Sequence, residues 1–363
     1  MTTHNDILMD RLRRLRQALD ETGLHAVVLR DASHRRYITG FTGSTGWAVI
    51  TGTRAWLVTD GRYWERAREE APHFELVPVR TSYKDALQSL FRDLEGPVGF
   101  EAETVTVDEF ERLYRPASHV DWRRADAILH RLRQVKDEEE VALLRQAAAI
   151  TDAAARALPS LLRPGVSERE VAWELEKYMR EHGAEALAFP IIVAFGENSA
   201  LPHAEPGDRR LRPEMAVCVD MGARVAGYCA DLTRSFWYGR EPEEEYVKAW
   251  EATRWALTAA LVGLRPGLRG RYVDALARDA LGVRGYGEYF LHSVGHGVGL
   301  DIHERPRLGR NSDDILPAGT VITLEPGVYL PHRWGIRLEE FVILWDNGPE
   351  IVSQAPMWPV LTP

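Results

Sequence analysis

Residues 292–304 read HSVGHGVGLDIHE and carry three imidazoles, those of His292, His296 and His303, among closely spaced glycines. A histidine pair at i and i+4 can line a zinc-binding helix when a glutamate follows the first. Here Ser293 follows His292. Gly295, Gly297 and Gly299 would each cost a helix roughly 1 kcal/mol relative to alanine. The spacing therefore predicts extended or turning backbone, with the histidines serving a site completed elsewhere. Four acids stand in apolar surroundings: Asp220 and Asp231 in AVCVDMGARVAGYCADLTRSF (216–236), Glu325 in VITLEPGVYL and Glu339 in GIRLEEFVILW. Carboxylates are rarely buried unless paired or bound to metal. Taken singly, each reads as an edge residue or ion-pair partner. Gathered together they would repel strongly, and two divalent cations would offset the charge. Oxygen-rich donors with one imidazole favour manganese foremost, with cobalt, iron or zinc as alternatives. Two such ions about 3.5–4 Å apart can hold a water as hydroxide and polarise a carbonyl. The chemistry expected is hydrolysis.

These groups need elements that bring them together. LLRPGVSEREVAWELEKYMREHG (161–183) is echoed by GLRPGLRGRYVDALARDALGVRG (263–285), with Arg163-Pro164-Gly165 matching Arg265-Pro266-Gly267 at an offset of 102. Leu201-Pro202-His203 matches Asp301-Ile302-His303 at 100, and Asp220 and Asp231 match Glu325 and Glu339 at 105 and 108. Four correspondences in one order predict an internal duplication. Each half would be a helix pair followed by antiparallel strands, the two related by a pseudo-twofold axis. The four carboxylates and His296 would then meet in the cleft between halves, a natural ligand site. Ahead of the repeats, strand-like AVVLR (26–30), GWAVIT (46–51), AWLVTD (55–60), ELVPV (75–79) and VGFE (98–101) alternate with helical patterns at 63–71 and 83–94. That alternation predicts a separate α/β accessory domain over 1–130, followed by a catalytic domain over 131–363. Asp137 is the expected N-cap of the long helix that opens the second domain.

The bulk numbers narrow the class. The 363 residues are 45% hydrophobic and 27% charged, as in an ordinary soluble globular protein. A net charge of −9 argues against a nucleic-acid partner. No eighteen apolar residues run together, which excludes a spanning helix and leaves no membrane partner. Leu8, Leu12, Leu15 and Leu19 predict an amphipathic helix capped by Gly23, in place of the apolar run of a signal peptide. Only two cysteines, Cys218 and Cys229, are present. They predict buried thiols and a reducing, cytoplasmic address. Eleven tryptophans are explained mostly by core packing, with a homodimer interface as the expected remainder.

The order Asp220, Asp231, His296, Glu325, Glu339, with GHGVGLDIHE, TLEPGVY and GIRLEE, resembles the pita-bread metallopeptidases. It resembles most their proline-specific branch, the Xaa-Pro dipeptidases (prolidases) and Xaa-Pro aminopeptidases (aminopeptidase P). RYITGFTGSTG (36–46) and LVTDGRYWERA (57–67) resemble that branch's creatinase-like N-terminal domain. The resemblance covers nearly the whole chain. It implies a mixed α/β fold and a dinuclear-metal exopeptidase acting on small peptides with proline in second position. It also implies roles. Asp231 and Glu339 match bridging ligands, Asp220 a ligand of one ion, and His296 and Glu325 ligands of the other. Glu325 also matches the residue that shuttles the proton. His203, His292 and His303 match histidines that contact substrate, and Arg337 and Tyr329 occupy family positions near the metals. The compact length and short accessory domain lean toward a dipeptidase, with Arg36 or a residue of a neighbouring subunit as the candidate clamp for a free carboxylate. An aminopeptidase P is the alternative. A metal-free creatinase-like enzyme or a peptide-binding module is more remote, since those forms lose ligands. Glu340 departs from the pattern, standing where aspartate commonly follows the last ligand, and 188–196 departs from it too.

Overall fold

The computed structural model describes residues 3–362 and divides into two units, Met1–Arg133 and Gln134–Pro363. In the first unit, α1 (His4–Thr22) starts at a capping box between Thr3 and Asp6 and ends on left-handed Gly23. The chain then builds β1 (Ala26–Leu29), α2 (Ala32–Thr39), β2 (Trp47–Thr51), β3 (Ala55–Asp60), α3 (Trp64–Glu70), β4 (Glu75–Val79), α4 (Tyr83–Phe91) and β5 (Pro97–Phe100). A short α5 (Val107–Glu109), β6 (Asp121–Arg124) and α6 (Asp126–Gln134) follow. The six strands form one mixed sheet in the order β4-β3-β2-β1-β5-β6. β1 is buried along its whole length, as a central strand covered on both faces must be. Residue 130, the boundary expected from sequence, falls inside α6.

The second unit shows the duplication in its backbone. α7 (Glu138–Leu161), opened by an Asp137–Glu140 capping box, and α8 (Glu168–Glu181) precede β7 (Ala186–Leu187), β8 (Ile192–Phe195), β9 (Met215–Met221), β10 (Ala223–Val225), β11 (Tyr228–Cys229) and β12 (Leu232–Tyr238). α9 (Glu244–Gly263) and α10 (Gly270–Val283) precede β13 (Gly295–Gly297), β14 (Glu304–Leu308), β15 (Thr320–Leu324), β16 (Gly327–Leu330), β17 (Trp334–Arg337) and β18 (Glu340–Trp345). Two short strands, β19 (Gly348–Ile351) and β20 (Val360–Leu361), close the chain. The echoed Arg-Pro-Gly turns behave alike. Gly165 and Gly267 both take positive φ, and their amides donate to Leu211 O and Leu316 O, each at 2.8 Å. Returning bonds run from Leu211 N to Val166 O and from Leu316 N to Leu268 O. Two cores form, each centred on one half but shared with the other: Val321, Phe341 and Ile343 join the first, and Ala216 and Trp237 the second. Leu144, Leu158, Leu175 and Met179 pack against Val193, Val217 and Val219 in the first. Trp250, Leu257, Val273 and Leu281 pack against Ile322, Leu324 and Val342 in the second.

Candidate metal centre

In each half, one acid pair sits at the mouth of a long antiparallel strand pair. β9 pairs with β12 from Leu232↔Met221 to Tyr238↔Met215, and β15 pairs with β18 from Thr320↔Leu344 to Leu324↔Glu340. Where each ladder opens, the chain inserts a small hairpin, β10–β11 in the first half and β16–β17 in the second. The acids flank these hairpins. Asp220 lies near the end of β9 and Asp231 just before β12; Glu325 lies just after β15 and Glu339 just before β18. Three of the four therefore stand at strand ends rather than within strands, where the backbone leaves the ladder and the side chain is free to turn inward. His296 comes from β13, at a bulge between His296 and Gly297. Its glycine neighbours are a steric requirement. A Cβ at Gly295 would lie 2.0 Å from Thr323 O, and one at Gly297 would lie 2.3 Å from Arg305 O.

The five side chains converge. Asp220, Asp231 and Glu339 each offer an oxygen within 4.8 Å of the others. His296 Nε2 is 3.3 Å from Glu325 Oε1 and 3.6 Å from Asp231 Oδ2. Its Nδ1 lies 3.1 Å from Gly297 O, so an Nδ1–H donated there leaves Nε2 facing the carboxylates, as in metal-ligating histidines. Asp220 Oδ1 and Glu339 Oε1 are buried with no hydrogen-bond partner. Orphaned carboxylate oxygens are costly unless something positive completes them. Burial, compounded by the neighbouring carboxylates, pushes Asp231 and Glu339 well above the ordinary carboxylate range. Glu325 moves the other way: burial would raise it, but the hydrogen bond and charge of His296 outweigh that and lower it. His296 is raised, since Glu325 overcomes the effect of its own burial. The buried Arg337 offers one positive charge, with Nη2 2.5 Å from Asp220 Oδ2 and Nε 3.8 Å from Glu325 Oε2. One guanidinium against four carboxylates leaves a deficit that divalent cations would fill, and the donor set fits them.

Around this cluster the remaining sequence-selected residues take distinct positions. Arg337 Nη1 donates to Tyr329 Oη at 3.1 Å, and Tyr329 Oη lies 2.8 Å from His292 Nε2. His292 Nδ1 lies 2.8 Å from Ser293 O. The simplest proton assignment runs Nδ1–H to Ser293 O and Tyr329 O–H to Nε2, so both nitrogens of His292 are engaged within the protein. Burial lowers its pKa and keeps the ring neutral. His303 meets His296 edge-on, ring centroids 4.3 Å apart, and among the described residues no hydrogen bond holds its ring. Burial and the His296 charge lower it as well. His203 stands exposed in a turn. Arg36 lies in the last turn of α2, in the first unit. Cys218 and Cys229 are free and buried. Glu340 faces Arg234 at 3.8 Å and accepts from Ser353 Oγ.

Comparison with known proteins identifies the family. Residues 142–345 match the model of metallopeptidase family M24, and residues 11–135 match the creatinase/prolidase N-terminal domain. The chain belongs to metallopeptidase family M24. An Xaa-Pro dipeptidase of Pyrococcus horikoshii is 33% identical, over 96% of this chain and 98% of that protein. A solved Xaa-Pro dipeptidase from Bacillus anthracis is 38% identical with a TM-score of 0.93, covering 98% of this chain and 100% of that one. An X-Pro aminopeptidase from Thermotoga maritima is also similar, at 34% identity and a TM-score of 0.86, covering 96% and 100%. The chain is thus mixed α/β, with a creatinase/prolidase N-terminal domain followed in sequence by a pita-bread M24 domain.

Two threonines at this M24 site escaped the sequence reading. Thr233 Oγ1 accepts from Arg337 Nε at 2.9 Å. Thr323 Oγ1 accepts from His296 N at 3.2 Å and lies 3.4 Å from Glu325 Oε1. A hydroxyl two residues from a candidate ligand in a buried strand is the signal that could have found them. Among the described residues no helix is long and apolar enough to cross a membrane.

Proposed function

We propose that this M24 peptidase removes an N-terminal residue from small peptides at the bond before proline, acting foremost as an Xaa-Pro dipeptidase. The observation that carries this reading is the pair of orphaned carboxylate oxygens, Asp220 Oδ1 and Glu339 Oε1, inside a five-residue donor set. Asp220, Asp231, His296, Glu325 and Glu339 would hold two divalent cations, and the oxygen-rich set favours manganese. When bound, the ions supply a polarised carbonyl and a water activated near neutral pH.

The chain's own residues do the rest. Glu325 would take the proton of the attacking water and return it to the leaving nitrogen. Its Oε1 lies 3.3 Å from His296 Nε2, the nitrogen that faces the carboxylates. Arg337 holds Asp220 in place and, through Tyr329, fixes His292. His303 and His203, with exposed imidazoles, would face the peptide and donate to its developing oxyanion. Burial of both cysteines as free thiols supports a reducing cytoplasmic setting. Exposed Trp173 and Trp255 support a homodimer.

The similarity to the Thermotoga maritima X-Pro aminopeptidase favours a second reading, an aminopeptidase P that accepts longer peptides. A chromatographic product assay on manganese-loaded enzyme, run side by side on Ala-Pro and Ala-Pro-Ala, separates them. Cleavage of the dipeptide alone is the expected result. Cleavage of the tripeptide with little on the dipeptide would establish the aminopeptidase, and no cleavage of either would remove the proline specificity.

A further inference from the structure

A buried ion pair stands beside the loop that carries His303. Lys136 Nζ lies 2.7 Å from Glu304 Oε1, with the lysine side chain 0% and the glutamate 7% exposed. Glu304 follows His303 directly and begins β14. The pairing Gly297↔Glu304 closes the neck of a loop, residues 298–303, between the strand bearing His296 and β14. Inside the neck, the Glu304 carboxylate folds over the loop's own start, since a Cβ at Gly299 would lie 2.5 Å from Glu304 Oε1. Gly299 N donates to Asp301 O at 3.1 Å, and Gly299 O accepts from Cys229 N at 2.9 Å. Lys136 is fixed from behind, its amide donating to Gly319 O at 2.9 Å and its neighbour Val135 bridging to Thr320.

The ammonium therefore reaches from the start of β15 into the neck of the His303 loop. The His303 ring has no hydrogen bond of its own among the described residues, so its aim depends on the loop backbone and on its edge contact with His296. A displacement of 1 Å at a catalytic group can cost about 10²-fold in rate.

We propose that Lys136 is a positioning residue, whose ion pair with Glu304 sets the loop that aims His303 at the reacting amide. The proposal rests on the peptidase reading above, but part of its test does not require substrate. In Lys136→Met, which keeps the length of the side chain and removes its charge, the amides of 299–303 should exchange hydrogen at least about tenfold faster than in the parent. Both ions should stay bound. On an Xaa-Pro dipeptide, kcat should fall about 10- to 100-fold with KM nearly unchanged. Lys136→Met combined with His303→Ala should be no slower than His303→Ala alone, because both disable the same group. Lys136→Arg should recover most of the lost kcat. Unchanged exchange in the loop would overturn the proposal, and so would rate losses that multiply in the double variant. Glu304→Gln carries the same readouts should Lys136→Met fail to fold. Faster loop exchange in a protein inactive on every Xaa-Pro peptide would uphold the positioning and fail the peptidase reading.

Discussion

Two buried acid–histidine clusters, one in each unit, could each be taken for a metal site. In the first unit, Asp31, His34 and Glu101 lie close enough to share an ion. Yet Glu101 Oε2 accepts the amides of Arg30 and Asp31, Glu101 Oε1 meets His34 Nδ1 at 2.7 Å, and Asp31 Oδ1 caps α2 through Ser33 N and His34 N. The bare atom there is an imidazole nitrogen, His34 Nε2, on the ring edge away from the carboxylates. In the second unit, by contrast, the bare atoms are carboxylate oxygens pointing at other carboxylates. The first cluster is finished by the protein and holds the turn between β1 and α2 against β5. The second is left unfinished and calls for cations. Proximity of acids and histidines does not distinguish the two; hydrogen-bond satisfaction does.

Breaking the second cluster should have the largest effect. On the proposed assignment Glu339→Ala would remove a ligand shared by both ions, and should abolish stoichiometric metal binding and lower kcat by about 10³-fold or more, on the order of the electrostatic contributions of such sites. Metal analysis of the purified variant, together with its rate, checks this. On the same assignment His303→Ala would remove a substrate-facing imidazole but no ligand. It should keep both ions and lose about 10²-fold in kcat, a typical contribution of a positioned acid–base group. A variant that kept full turnover on every Xaa-Pro substrate would exclude His303 from the reaction. Chelation should lower the melting temperature of the holoenzyme, since ions held at 100 times their Kd add about 2.7 kcal/mol. Breaking the first cluster should give the smallest functional effect. Glu101→Gln should destabilise the chain by about 1–3 kcal/mol through lost charge-assisted bonds. Metal content and kcat per folded molecule should not change, as differential scanning and metal analysis would show. A loss of bound metal in Glu101→Gln would erase the distinction between the clusters.

The sequence made much of this legible. The five proposed donors stood out as acids in apolar stretches of sequence plus a histidine among glycines, and the repeated Arg-Pro-Gly turns marked the two halves. The capping box at Asp137 marked the start of α7. What the sequence hid was local or long-range. β6 (DWRR) is a largely exposed edge strand with no apolar alternation to reveal it. α2 has only eight residues, several of them β-branched or aromatic, so its periodicity is faint, although Asp31 and Gly40 cap it as a helix requires. The placement of three ligands at strand ends depends on the two inserted hairpins, whose short strands fall below the length that patterning can detect. The Lys136–Glu304 pair spans 168 residues, and only folding brings its members together.

Completion of the unfinished carboxylates by two ions is what the proposed chemistry requires. The most direct test is the metal content of the protein after loading with manganese and desalting, compared with Glu339→Ala. Two ions per chain in the parent and near none in the variant is the predicted result. A parent that hydrolyses Xaa-Pro peptides while binding no metal would contradict it.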